Sequence, residues 1–161
     1  MQIRIIAVGK LKETYFSDAV AEYTKRLSRF AKVETVQLPD RRIPDRASAA
    51  QERQVLEQEG NDILSKIAPQ DYVIALCVEG RKLGSPAFAE KLSALALSGK
   101  SSVTFIIGGS LGLSDAVKQR ADFRLSFSDM TFPHQLMRVI LLEQVYRAFK
   151  ILANETYHKY M

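Results

Sequence analysis

Phe105-Ile106-Ile107-Gly108-Gly109-Ser110-Leu111-Gly112 sets three glycines directly behind an apolar run. Glycine lets a backbone turn sharply and approach a ligand closely. The spacing is neither G-x-G-x-x-G nor a phosphate loop, because no Lys-Ser/Thr follows. It therefore encourages neither ordinary dinucleotide binding nor ATP hydrolysis, and a plain strand-to-helix turn reads equally well. A second segment, Leu125-Ser126-Phe127-Ser128-Asp129-Met130-Thr131-Phe132-Pro133-His134, presents three hydroxyls, a carboxylate and a histidine ahead of a helix. Pro133 biases Phe132 toward extended geometry. Such a segment offers backbone donors and acceptors to a small molecule; the competing reading is a capping turn.

Other chemistries find less support. The chain holds one Cys and two His, so an intrachain disulfide and a multi-His metal site are both impossible. Serine hydrolase chemistry lacks support, because neither His134 nor His158 has an acid partner evident in the sequence. Cys77 lies in an apolar strand and reads as a core residue rather than a nucleophile. Glu143 and Arg147 stand four residues apart, the spacing of a helix-surface ion pair. The tail Tyr157-His158-Lys159-Tyr160 could stack on bases and meet phosphate, or simply be disordered.

The elements that must position these residues follow from hydrophobic period and turn signals. Strands are expected at Ile3–Gly9, Val33–Leu38, Tyr72–Val78, Val103–Ile107 and Phe123–Phe127. The runs from Tyr72 and Val103 are solidly apolar, as for strands covered on both faces. Helices are expected over Phe16–Phe30, Ala47–Ile67, from a Ser85 cap with Pro86, from Ser114-Asp115, and from His134 to about Ala153. This alternation predicts one α/β domain with a mainly parallel sheet flanked by helices, spanning residues 1–161. Both candidate loops then leave the C-terminal edge of parallel strands, where open α/β sheets bind ligands. The last helix is apolar on more than one side, which suggests a second copy of the chain as its cover.

The chain has 161 residues, 47% hydrophobic and 25% charged, as in an ordinary single domain with a real core. No segment nears the roughly 20 apolar residues of a membrane span. No membrane association and a cytoplasmic location are expected, and no signal peptide is read at the start. Net charge is +5, with +4 in residues 1–50, −1 in 51–100 and +2 in 101–161. A mixed solvated surface accounts for this as well as an anionic partner does. Arg41, Arg42 and Arg46, with Lys10 and Lys12, are the candidate phosphate contacts, and Arg81 and Lys82 join them at the same edge.

FIIGGSLGLS, LSFSDMTFPHQLMRVILLEQVYRAFKILANETYHKY and the opening IRIIAVGKLKE together resemble the RlmH (YbeA-like) family of small SPOUT-class rRNA methyltransferases. The similarity runs the length of the chain, and the long C-terminal block is its specific part. The resemblance implies a SPOUT-type fold with a C-terminal deep trefoil knot, within about residues 72–161. It implies a homodimer and S-adenosylmethionine as cofactor, with no metal. It implies methylation of N3 of a pseudouridine in large-subunit (23S) rRNA of the assembled 70S ribosome. Carried over residue by residue, it assigns cofactor contacts to Leu76, Gly108 and the segment Phe127, Ser128, Asp129, Met130, Thr131 and Phe132. Gly109 is added by adjacency. For the methyl-transfer step, His158 or a nearby tail group is the favoured proton handler, with Arg138 or Lys159 stabilising developing negative charge, and His134 as either a loop-fixing residue or a proton acceptor. Two other readings stay open: a non-catalytic ribosome-binding protein, and a knotted methyltransferase acting on tRNA or a ribose hydroxyl.

Overall fold

Period-two alternation splits the strands' apolar residues between two helical layers. The computed structural model describes residues 1–159. Its elements are β1 (Gln2–Val8), α1 (Thr14–Leu27), β2 (Lys32–Leu38), α2 (Ala49–Leu64), β3 (Tyr72–Lys82), α3 (Ser85–Leu97), β4 (Ser102–Ile107), α4 (Asp115–Arg120), β5 (Phe123–Ser126) and α5 (His134–Leu152). All strand pairings are parallel, in the order β2-β1-β4-β3-β5. Ile3, Ile5, Ile74, Phe105 and Ile107 face α1, α3 and α5, packing with Leu27, Phe88, Leu92, Leu141 and Val145. Ile6, Val8, Val73, Ala75 and Ile106 face α2 and α4, packing with Ile63 and Val117. The sheet is thus covered on both sides, and β4 lies at its centre between β1 and β3.

Several element boundaries differ from the sequence expectations by one to four residues, and three of them bear on the site. Ser85 is the first residue of α3 rather than its cap, which is Gly84. The Ser85 hydroxyl donates instead to Gln144 Oε1 of α5 at 2.7 Å. The second helix starts two residues later than expected, because Ser48 forms a reciprocal capping box with Gln51. The largest change is in β3, which runs on to Lys82 instead of stopping at Val78. Leu76 and Arg81 both pair with Leu125, so residues 77–80 bow out of the ladder. Gly80 allows this: a Cβ there would stand 2.8 Å from the Arg124 carbonyl oxygen. Arg81 and Lys82 therefore belong to a strand rather than to a loop.

The last helix is less in need of an external cover than its composition suggests. Within the chain, α5 packs with α1 and α3 in one apolar cluster, and Met137, Tyr146, Phe149 and Ile151 are partly buried against that core. Leu152 remains exposed. No described helix is long and apolar enough to cross a membrane.

Candidate functional site

The cavity at the C-terminal edge of β3, β4 and β5 measures about 760 Å³, within the range of small-ligand sites. It has three walls of backbone and one of α5. The first wall is the glycine turn, where Gly112 N–H donates to the Gly109 carbonyl at 3.0 Å. Ser114 then caps α4, its hydroxyl accepting from Val117 N–H at 3.3 Å. The second wall is the bowed segment Cys77-Val78-Glu79. The third is the loop from Phe127 to Pro133, and the fourth is His134 with Met137. The loop is internally braced: Ser126 Oγ donates to the Ser128 carbonyl and Met130 N–H donates to Ser128 Oγ, both at 3.0 Å.

Of the residues expected at a cofactor, Leu76, Gly108, Gly109, Phe127, Ser128, Met130, Thr131 and Phe132 line this cavity together. Asp129 does not: its carboxylate turns outward to Lys82 Nζ at 2.6 Å and ties the loop to β3. Leu111 of the glycine segment also lines it, as do Glu79, Lys118 and Met137, for which the sequence offers no site signal. Sequence reasoning placed Cys77 in the core, whereas Cys77 is half-buried on the cavity wall. Burial, aided by the Glu79 charge, pushes its thiol up, so it stays protonated at neutral pH.

His134 lies against Gly9 at the end of β1. Its Nδ1 is buried and finds no hydrogen-bond partner among the described residues. Burial lowers its basicity, opposed by Asp40 and reinforced by Arg138 and Lys12. Arg138, one turn on, is buried and donates to Gln37 Oε1 at 3.0 Å. It therefore sits inside the protein and not on the cavity wall.

The tail folds back along α5. Tyr157 O–H donates to Glu143 Oε2 at 2.8 Å, and Arg147 Nη2 donates to the same oxygen at 2.9 Å. Arg147 Nη1 lies 3.2 Å from His158 Nδ1. A guanidinium only donates, so Nδ1 accepts and the neutral ring carries its proton on Nε2. The Glu143–Arg147 pair is thus the tail's anchor, partly buried rather than an ornament of an exposed helix face. Burial and the Glu143 hydrogen bond push the Tyr157 phenol up. Lys159 is exposed; Tyr160 lies outside the described residues. His158 is bound near the end of α5 remote from the cavity: thirteen residues from His134 to Arg147 make roughly 20 Å of helix.

Beneath the glycine turn is a second feature absent from the sequence reading. Glu59 is buried on α2 and accepts from Arg41 N–H at 3.0 Å. Burial raises its carboxyl, the Arg41 N–H opposes this, and Asp40 adds to the rise. A carboxyl raised in the folded state contributes stability that is full below its unfolded value and is lost as pH climbs through the folded one. Glu59→Gln keeps an acceptor for Arg41. In urea titrations its advantage over the parent is expected to appear and grow above pH 4.5, the ordinary glutamate value. Parallel midpoints from pH 4 to 8 would rule this out. Arg41 is also held by Asp62, at 2.8 Å; Arg42, Arg46, Lys10 and Lys12 are exposed, as are Arg81 and the Asp129-paired Lys82.

A parallel α/β domain with a small-molecule cavity between a glycine turn and a hydroxyl-rich loop fits a group-transfer enzyme. The family described as predicted SPOUT methyltransferase matches residues 1–158. The chain belongs to the SPOUT methyltransferase family and is a methyltransferase. It is 54% identical to the ribosomal RNA large subunit methyltransferase H of Leuconostoc citreum, covering 99% of this chain and 100% of that one. With the protein of the same name from Streptococcus agalactiae serotype III it shares 52% identity at the same coverage. Among solved structures, a probable methylase family protein from Haemophilus influenzae Rd KW20 superposes with a TM-score of 0.55 at 14% identity, over 98% of this chain and 70% of that chain. That likeness speaks to the fold.

Proposed function

We propose that this chain methylates N3 of a pseudouridine in large-subunit (23S) rRNA of the assembled ribosome, using S-adenosylmethionine, as a cytoplasmic homodimer. The observation that carries the reading is the cavity itself: the residues a SPOUT resemblance assigns to the cofactor converge on one ligand-sized space, in a chain matched by that family almost from end to end.

The residues fit the cofactor. Leu76, Phe127 and Phe132 offer apolar surface for adenine, and the turn at Gly108 and Gly109 offers backbone at close range. When bound, S-adenosylmethionine supplies a methyl group on a cationic sulfur. The chain must hold the target base in line and help its N3 shed a proton. His134, on the cavity wall with its basicity lowered by burial, is the residue placed for the proton. His158, held through Nδ1 by Arg147, is the tail group assigned to the charge that develops on the base. Lys159 is an exposed cation beside it, whereas Arg147 is paired with Glu143. Arg138, bonded to Gln37 in the interior, fixes the start of α5 rather than meeting substrate.

His158 reaches a cavity only if it is another protomer's. A dimer that lays one tail over the partner's cavity satisfies this. A C-terminal trefoil knot, as the resemblance implies, is compatible with the return of the chain from the sheet edge at β5 to pack α5 with α1 and α3. Arg42, Arg46, Lys10 and Lys12 would then meet rRNA phosphates around the shared site. Titration calorimetry with S-adenosylmethionine, followed by transfer of labelled methyl to ribosomes, tests the reading. Binding with transfer supports it; neither binding nor transfer refutes it in favour of a non-catalytic ribosome-binding protein.

A further inference from the structure

The cavity described above holds a charged pair that the cofactor assignment leaves unused. Residues 77–80 bow out of the β3–β5 ladder, with Leu76 and Arg81 both registered on Leu125. Gly80 seats the end of the bow against the Arg124–Leu125 backbone. The bow thereby carries Glu79 onto the cavity wall, opposite Lys118 of α4. The two side chains form an ion pair. Among the described residues of the lining they are the carboxylate and the ammonium, beside the titratable groups Cys77 and His134.

We propose that Glu79, held by Lys118, receives the ribose hydroxyls of the adenosyl group. The proposal rests on the cofactor reading above and names a contact that reading lacks. Lys118 engages Glu79 Oε1. A carboxylate has two oxygens and about four acceptor positions, so most of its capacity remains for two hydroxyl donors. The hydrogen bond from Lys118 lowers the Glu79 carboxyl, which is ionised at neutral pH and ready to accept. The pair carries no net charge, so it does not select for the sulfonium or the ammonium of the methionine part. A vicinal diol is what a neutralised but unsaturated carboxylate recognises, as acidic residues do for ribose in dinucleotide folds.

The test measures binding of S-adenosylhomocysteine, whose sulfur is neutral, and of its 2′,3′-dideoxy analogue by calorimetry. Glu79 is exposed, so Glu79→Ala is expected to fold as the parent does, which circular dichroism checks. Loss of charge-assisted hydrogen bonds predicts that Glu79→Ala binds S-adenosylhomocysteine about ten- to a hundredfold more weakly. The dideoxy analogue should bind the parent correspondingly weakly, and Glu79→Ala should not weaken it further. Glu79→Gln, which keeps an acceptor oxygen, should fall between. Unchanged affinity in Glu79→Ala overturns the proposal. So does an equal loss for both ligands, which marks a structural role, or a loss confined to S-adenosylmethionine, which marks cation recognition. If the parent binds none of these ligands, the cofactor reading itself fails along with the proposal.

Discussion

Gly108→Ala is expected to abolish measurable S-adenosylmethionine binding, weakening it at least about a hundredfold, while the protein stays folded. A Cβ at Gly108 would lie 2.5 Å from the Gly112 carbonyl oxygen, 2.8 Å from its carbon and 2.9 Å from Leu113 Cδ2. The first two contacts are backbone, so no rotamer change relieves them. The turn is closed by the Gly112-to-Gly109 hydrogen bond and must open to admit the methyl group. Overpacking of this kind costs about 1–3 kcal/mol, which a core of two apolar clusters can absorb. The cavity cannot absorb it, because the displaced backbone is its wall. Calorimetry gives the affinity and circular dichroism the fold; parent-like affinity would show that the turn does not shape the site.

His158→Ala is expected to leave cofactor affinity unchanged and to lower methyl transfer by about 10²–10⁴-fold, the range for a positioned proton-handling or charge-stabilising group. The stronger expectation concerns mixtures. One protomer separates His158 from its own cavity by most of the length of α5. Gly108→Ala lacks a working cavity and His158→Ala lacks a working tail. Each is inactive alone, yet a mixed dimer joins one intact cavity to one intact tail. Exchanging subunits of the two variants should therefore restore activity toward about a quarter of the parent's, given random pairing and one functional site in each mixed dimer. No recovery after verified exchange would place each tail at its own cavity or remove His158 from the chemistry. An equal fall in binding and transfer for His158→Ala would also refute its role.

Which parts of this were legible in the sequence follows a physical divide. Local signals held: five strands in the expected places, the Ser114 cap, and a helix from His134. Local chemistry governs these, and the parallel sheet follows from their alternation. Features needing two distant segments were not legible. The bow at residues 77–80 exists because Leu125 is met twice by β3, and nothing near Glu79 in the sequence announces that. The resemblance assigns Asp129 to the cofactor, whereas its carboxylate pairs with Lys82, 47 residues away. Arg138 read as an available cation, yet Gln37 on β2 draws it into the interior. Glu59 carries no signal of its own in the sequence; burial and the Arg41 N–H distinguish it. The helix pair Glu143–Arg147 was visible; its function as the seat of Tyr157 and His158 was not. Among the residues that line the cavity, those the resemblance assigns lie at a strand end and on backbone loops, whereas the Glu79–Lys118 pair depends on a contact between distant segments.

The central claim is the identity of the methylated atom. Intact ribosomes, with and without pseudouridine in large-subunit rRNA, are incubated with this protein and methyl-labelled S-adenosylmethionine, and the product is mapped by nuclease digestion and mass spectrometry. The account predicts a single labelled nucleoside, N3-methylpseudouridine, in large-subunit rRNA, and no label when pseudouridine is absent. Label retained on pseudouridine-deficient ribosomes, or found on a ribose hydroxyl or on tRNA, would contradict it.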